Sequence, residues 1–293
     1  MRNKIKLIGT VHIDTLGPER LQRELESLEP DVVGIEFSEK RLQSILKRRS
    51  DASSSFYSSL RELENKVSSR LMEAIVPYNL KLQESYMFEY DTSKKYCDDN
   101  KIPLELIDAE YPGDLGTLSR GYDDMSKNAL AVTYNEIPAL ESLVKDDTSL
   151  FARLCQISVD NLYSQMDLKQ FLYNMDPFSP KMQELIKNSE TAEHDPRLSK
   201  DGLEVNQFAF SPHRNDYMAE KITCLNKKHE RKTLAFVMGG NHLLPVGHRI
   251  RHLQPHSYAL PGYRETLNSL MEAENKGLFE RISKALDSSP KSL

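Results

Sequence analysis

Residues 4–37, KIKLIGTVHIDTLGPERLQRELESLEPDVVGIEF, read as strand, helix and strand. Ile5, Leu7 and Ile8 make the short apolar run of a buried strand, Lys4 to Ile8. Gly17-Pro18 then opens a helix over Pro18 to Leu28, because proline at the first helical position gives up no hydrogen bond. Leu21, Leu25 and Leu28 give that helix one apolar stripe. Glu29-Pro30-Asp31 ends it. Val32, Val33, Ile35 and Phe37 form a second buried strand, Val32 to Phe37, with Glu36 near its exit. A helix between two strands is the connection parallel strands need, so the unit predicts an α/β fold.

The same grammar extends outward. Leu42, Ile45 and Leu46 mark a helix after Ser38, a serine-rich loop covers 50–55, and Leu60, Leu63, Val67 and Leu71 recur at helical spacing. Tyr86, Met87 and Tyr90 continue that pattern. A third strand, Ile102 to Ile107, ends at Asp108, and a fourth, Thr233 to Met238, ends at a glycine pair. Between them, residues 126–187 show helical periodicity interrupted at Pro138 and Asp176-Pro177. Asn188 to Asn206 reads as an exposed loop, with Asp195-Pro196 and Asp201-Gly202 as turns. Ser211-Pro212 starts another helix. The expectation is one domain over 1–293: a central, mainly parallel β-sheet flanked by helices, with a helical insertion at about 126–206 lying over the sheet edge. The end of the chain, Ser288 to Leu293, reads as frayed.

Composition narrows the function classes. The chain has 293 residues, 39% of them hydrophobic, enough for a substantial core. A net charge of -5 supplies no basic field for nucleic acid or acidic lipid. The three cysteines, Cys97, Cys155 and Cys224, form no CxxC pair and are an odd number, which fits a reducing, cytoplasmic setting. No segment has the length and apolarity of a signal-peptide core or a membrane span. Neither a Gly-x-Ser-x-Gly elbow nor a P-loop occurs.

Two Gly-x-x-His tetrads stand out: Gly9-Thr10-Val11-His12 and Gly239-Gly240-Asn241-His242. Each follows a strand, and glycine's freedom at positive φ suggests a sharp exit there. Ligands of parallel sheets collect at the carboxyl ends of strands, so His12, His242 and Glu36 can converge. Two imidazoles and a carboxylate suit an open site for zinc, manganese or cobalt; alternatively the histidines bond loop carbonyls and Glu36 pairs with a base. Asp108 has the same address, as a base, an orienting group or a turn acceptor. Arg214, in the first turn of a helix, suits a substrate carboxylate or a developing oxyanion, or else a salt bridge to Glu36. Arg120 and Asn241 complete the candidate substrate-binding set. His248, His252 and His256 recur every four residues, but Pro255 interrupts the helix and Arg249 and Arg251 disfavour a cation, so they read as a solvated face. His194 reads as exposed. The cysteines read as packing residues.

Taken in order, Leu7 to His12, Pro30 to Glu36 with Arg41 following, Leu106-Ile107-Asp108 with Thr117, Leu118 and Arg120, Arg214 to Ala219, and Gly239 to His242 resemble the TraB, PrgY and Tiki group of the erythromycin-esterase and ChaN-like superfamily. The resemblance covers most of the chain. It implies a sheet core flanked by helices and a metal-dependent, peptidase-like hydrolase site. In that site His12, Glu36 and His242 hold manganese, cobalt or zinc, Arg214 stabilises negative charge and Asp108 positions or deprotonates. Its substrate would carry an amide or ester bond, in a peptide or small molecule. The same resemblance also admits a PrgY-like protein that binds a peptide signal without turnover, an esterase whose histidine acts as general base without metal, and, more remotely, haem binding. Two departures stand out: Asp108 is followed by Ala109 where the group often has arginine, and His242 is followed by Leu243-Leu244-Pro245-Val246-Gly247, a looser form of the usual His-Leu-Pro-Gly. The membrane segments that end some TraB relatives have no counterpart in the sequence.

Overall fold

A computed structural model describes residues 4–46, 67–85, 87–114, 116–118, 120, 137–191 and 196–264. The serine-rich loop at 50–55, Leu60, Leu63, Tyr86, the first part of the insertion at 126–136, His194 and the Ser288 to Leu293 end lie outside the described residues.

In chain order, β1 (Lys4–Thr10), α1 (Gly17–Leu28) and β2 (Val32–Ile35) form the opening β-α-β unit. Then come α2 (Ser69–Glu84), α3 (Phe88–Asn100), β3 (Leu104–Leu106), α4 (Ile137–Val144), α5 (Ser149–Met175), α6 (Pro180–Ser189), α7 (Lys200–Ala209) and α8 (Pro212–Lys228). The last elements are β4 (Thr233–Gly239), α9 (Gly240–Arg249), a 3-10 turn (Arg251–Leu253) and β5 (His256–Ala259). The sheet is parallel throughout, in the order β3-β2-β4-β1-β5. The α/β architecture is therefore the one the opening unit predicts.

The sheet is sandwiched between two apolar layers, as its continuous hydrophobic strands require. On one face Ile8, Val33, Ile35, Ala235 and Val237 meet α1, α3 and α5; on the other Leu7, Leu234, Phe236 and Met238 meet Met218 and Ile222 of α8 and Leu243 and Val246 of α9. From within the expected insertion, α5 packs against the edge strand β5. No helix among the described residues is long and apolar enough to cross a membrane.

Several boundaries differ from the sequence reading. β1 and β4 run through to Thr10 and Gly239, while β2 and β3 are shorter than predicted. The stretch read as a loop to Asn206 becomes helical at Lys200, because the Ser199 side chain accepts the Gly202 N–H and caps α7, so that Asp201-Gly202 is a first helical turn rather than a loop. The histidine series does not share a face: His248 ends α9, His252 lies in the 3-10 turn, and His256 starts β5, where its Nδ1 lies 2.9 Å from Lys6 Nζ.

Candidate active site

Strand order assembles the site. β4, the last strand but one in sequence, lies between β1 and β2, with Thr10 opposite Gly239 and the Glu36 N–H bonded to the Val237 carbonyl at 3.1 Å. The tetrad of residues 239–242 thus stands between His12 and Glu36. Asp108, two residues beyond β3, joins from the other side.

The tetrad glycines serve close approach rather than a left-handed turn. None of the three, Gly9, Gly239 and Gly240, has positive φ; the one glycine that does among the described residues is Gly262. A Cβ on Gly239 would stand 2.8 Å from His12 Nε2 and 3.2 Å from Glu36 Oε2, and one on Gly9 would stand 2.9 Å from Leu243 Cδ2. Gly239 keeps open the space between an imidazole and a carboxylate. Gly9 lets α9 settle on β1.

Arg214, on the first turn of α8, closes the buried side of the site. Its Nε donates to Asp108 Oδ1 at 2.8 Å, its Nη2 to Glu36 Oε1 at 2.7 Å and to Asp108 Oδ2 at 2.5 Å, and its Nη1 to the Ala209 carbonyl at 2.7 Å. Arg41 Nη1 adds a second cation, 3.0 Å from Asp108 Oδ2 and 3.6 Å from Glu36 Oε1. Asp108 also takes the Ala109 N–H at 2.8 Å, and Glu36 Oε2 takes the Gly239 N–H at 2.6 Å. Arg214 is therefore engaged by protein, and the substrate-anion role expected for it is not the one this geometry gives. Arg41 and Arg214 supply the positive charge that Ala109 cannot.

Burial by itself would favour a protonated Glu36, yet His242, Arg214, His12 and Arg41 together hold its carboxyl well below the usual range. Burial, and then the Arg214 charge, outweigh the nearby carboxylates at His242 and lower its pKa. The two effects pull against each other across the 3.4 Å between His242 Nε2 and Glu36 Oε1. We take Glu36 as ionised and His242 as neutral, because the permanent guanidinium already balances the carboxylate. The bonds around His242 agree. Asn215 Nδ2 donates to Glu190 Oε1 at 2.8 Å, so its Oδ1 faces His242 Nδ1 at 2.7 Å and requires a proton there. The lone pair on Nε2 then faces Arg214 Nη1 at 3.3 Å.

His12 differs in every respect. Its side chain is 56% exposed, and Nδ1 lies 2.7 Å from Oε1 of Glu89, a buried carboxylate on the first turn of α3. A carboxylate only accepts, so Nδ1 carries the proton and Nε2 is left toward Gly239 and Glu36. The packed strand end works against an imidazolium, but the charges of Glu89 and Glu36 prevail and raise the His12 pKa above 6.5. The loop after His12 is pinned from α5. Tyr163 Oη accepts the Val11 N–H at 3.2 Å and donates to Asp14 Oδ2 at 3.1 Å, while Arg20 Nη1 pairs with Asp14 and Asp160 at 2.9 Å each.

The sequence singled out His12, Glu36, Asp108, Arg214 and His242, and the structure brings all five to one end of the sheet. Asn241 is exposed in the first turn of α9 at the same end. Arg120 is not brought there: it is exposed and pairs with Asp201 Oδ2 at 2.6 Å. Glu89 and Tyr163 stand outside the motifs, and Asn215 lies within the Arg214 to Ala219 motif without an assigned role. A glutamate set between Phe88 and Tyr90 is the sequence signal for the first, adjacency to Arg214 is that for Asn215, and Tyr163 carries none that spacing reveals. Burial pushes the Cys97 thiol up to about 11, consistent with packing rather than nucleophilic use.

As arranged, His12, Glu36 and His242 do not fit a metal ion. Both Glu36 oxygens are engaged, and a guanidinium stands 3.3 Å from the one free nitrogen of His242, where a second cation would be repelled. Among the described residues no group of three or more His, Cys, Asp or Glu is disposed to hold a metal. No family model matches the chain, and no curated protein or solved structure matches it significantly.

Proposed function

We propose that the protein is a metal-independent hydrolase of an ester or amide bond in a peptide-like or small-molecule substrate, with His12 as general base. The observation that carries this reading is the Glu89–His12 pair: a buried carboxylate fixes the tautomer of an exposed imidazole whose Nε2 faces an open strand end. Nε2 accepts a proton from water, the hydroxide oxygen adds to the carbonyl carbon, and the imidazolium returns the proton to the departing oxygen or nitrogen. Glu89 and Glu36 stabilise that transient imidazolium. The uncapped N–H groups at the start of α9 and the Asn241 amide lie at the same strand end to receive the developing oxyanion. The Arg214–Glu36–Asp108 clamp holds the strand exits in place. The motif resemblance to the erythromycin-esterase side of the superfamily supports the same chemistry, in a cytoplasmic setting that leaves the three cysteines reduced.

A panel of activated esters and amides tests the reading. His12→Ala should lower the rate by about 10²-fold or more while leaving the fold intact. A rate equal to wild type in His12→Ala would remove His12 as the base, and no rate in the wild type together with retained peptide binding would replace the reading with a binding role.

A further inference from the structure

Nε2 of His242 stands between a donor and an acceptor: Arg214 Nη1 lies 3.3 Å from it and Glu36 Oε1 lies 3.4 Å from it. At this end the ring can accept from the guanidinium or, with its proton on Nε2, donate to the carboxylate, and the two distances do not choose between them. The second arrangement would set the ring in competition with Arg214 Nη2, which reaches the same Glu36 oxygen at 2.7 Å.

The choice is made at the other end of the ring. Nδ1 lies 2.7 Å from Asn215 Oδ1, Asn215 Nδ2 lies 2.8 Å from Glu190 Oε1, and Arg249 Nη1 lies 2.7 Å from that same oxygen. Glu190 closes the C-terminal end of α6, and Asn215 is buried on the first turn of α8. Arg249, the last residue of α9, also donates to Asp216 and to the Pro245 carbonyl, so the carboxylate has a fixed anchor. A carboxylate only accepts. It turns the NH2 group of Asn215 toward itself, which leaves Oδ1 facing the imidazole and puts the ring proton on Nδ1. The amide turned the other way would set an oxygen against the Glu190 oxygen in a largely buried space, at the cost of an unmade bond to a charged group. We infer that Glu190 is a positioning residue for His242: acting through Asn215, it makes Nε2 accept from Arg214 rather than donate to Glu36. The end of α6 thereby keeps the Arg214–Glu36–Asp108 clamp intact.

Long-range proton–nitrogen NMR of the histidine rings tests this in the full-length chain, because protonated and bare ring nitrogens have separate shifts. It reads an equilibrium within one ring rather than a rate, and so stands apart from the hydrolase reading. Wild-type His242 should show a protonated Nδ1 and a bare Nε2. In Glu190→Ala the ratio of the Nδ1–H to the Nε2–H form should fall about ten-fold or more, the weight of one hydrogen bond to a charged group. Glu190→Gln should restore the wild-type ring, since its carboxamide oxygen still accepts from Asn215 and Arg249. Arg249→Met, which releases the carboxylate from its anchor, should lower the ratio in the same direction and supplies the reading if Glu190→Ala does not fold. A wild-type ring protonated on Nε2 overturns the proposal. So does an unchanged ratio in Glu190→Ala, or in Arg249→Met where the alanine variant does not fold, and so does an equal loss in Glu190→Ala and Glu190→Gln.

Discussion

Glu89 Oε1 lies 2.7 Å from His12 Nδ1, joining the first turn of α3 to the loop after β1 across 77 positions of sequence. The pair makes His12 more basic than a free imidazole, and the direction of that change sets the pH behaviour. A base works when neutral, so the rate should rise with pH through a midpoint above 6.5. In Glu89→Gln the midpoint should fall and the maximal rate drop; a pH–rate profile beside an NMR titration of the His12 ring reads both. Stability runs the other way. A pKa raised by folding stabilises fully below the unfolded value, near 6.5, and that contribution fades as pH rises through the folded value. Melting curves of wild type and Glu89→Gln should therefore converge on the alkaline side.

Arg214→Met should be among the most damaging single changes. It leaves Glu36 and Asp108 buried without their shared guanidinium, a loss on the order of 3–5 kcal/mol measurable by urea unfolding. Arg214→Lys should recover only part of it, because one ammonium cannot reproduce the two-pronged contact with Asp108. The acid side offers a second check. The folded pKa of Glu36 is depressed, so its contribution is present above the unfolded value, near 4.5, and is lost as pH falls toward the folded one. Glu36→Gln should flatten that part of the stability profile.

Gly239 and Gly9 should fail differently. Gly239→Ala drives a methyl into His12 Nε2 and Glu36 Oε2 and should abolish turnover while leaving a folded protein. Gly9→Ala meets Leu243 and Met166 instead, a packing fault of about 1–3 kcal/mol. Comparing melting temperature with rate for the pair separates the roles.

Chelation should leave the rate unchanged, and elemental analysis of untagged protein should find no stoichiometric manganese, cobalt or zinc. A rate abolished by chelator and restored by one of these metals would return the site to the metal-dependent chemistry that the motif resemblance implies.

Much of this was legible because it is local. Val32, Val33 and Ile35 or Leu234 to Val237 need both faces buried, which only a covered parallel sheet offers, and Gly17-Pro18 and Ser211-Pro212 mark helix starts by their own chemistry. β5 escaped notice, since His256-Ser257-Tyr258-Ala259 has no apolar run; pairing with β1 makes it a strand. Arg120 looked like a ligand-binding residue by its place in a motif, yet the cap of α7 brings Asp201 within reach of it.

By itself the sequence determined the α/β class and delivered two histidines and two carboxylates to one end of the sheet, because strand exits are fixed by where apolar runs stop. Only the tertiary structure decided what those residues do. Inserting β4 between β1 and β2 placed Arg214 against Glu36, Asp108 and His242, filling with a guanidinium the place a metal would need, and α3 set Glu89 behind His12. Charge balance in a buried site depends on neighbours distant in sequence, and no spacing along the chain encodes it.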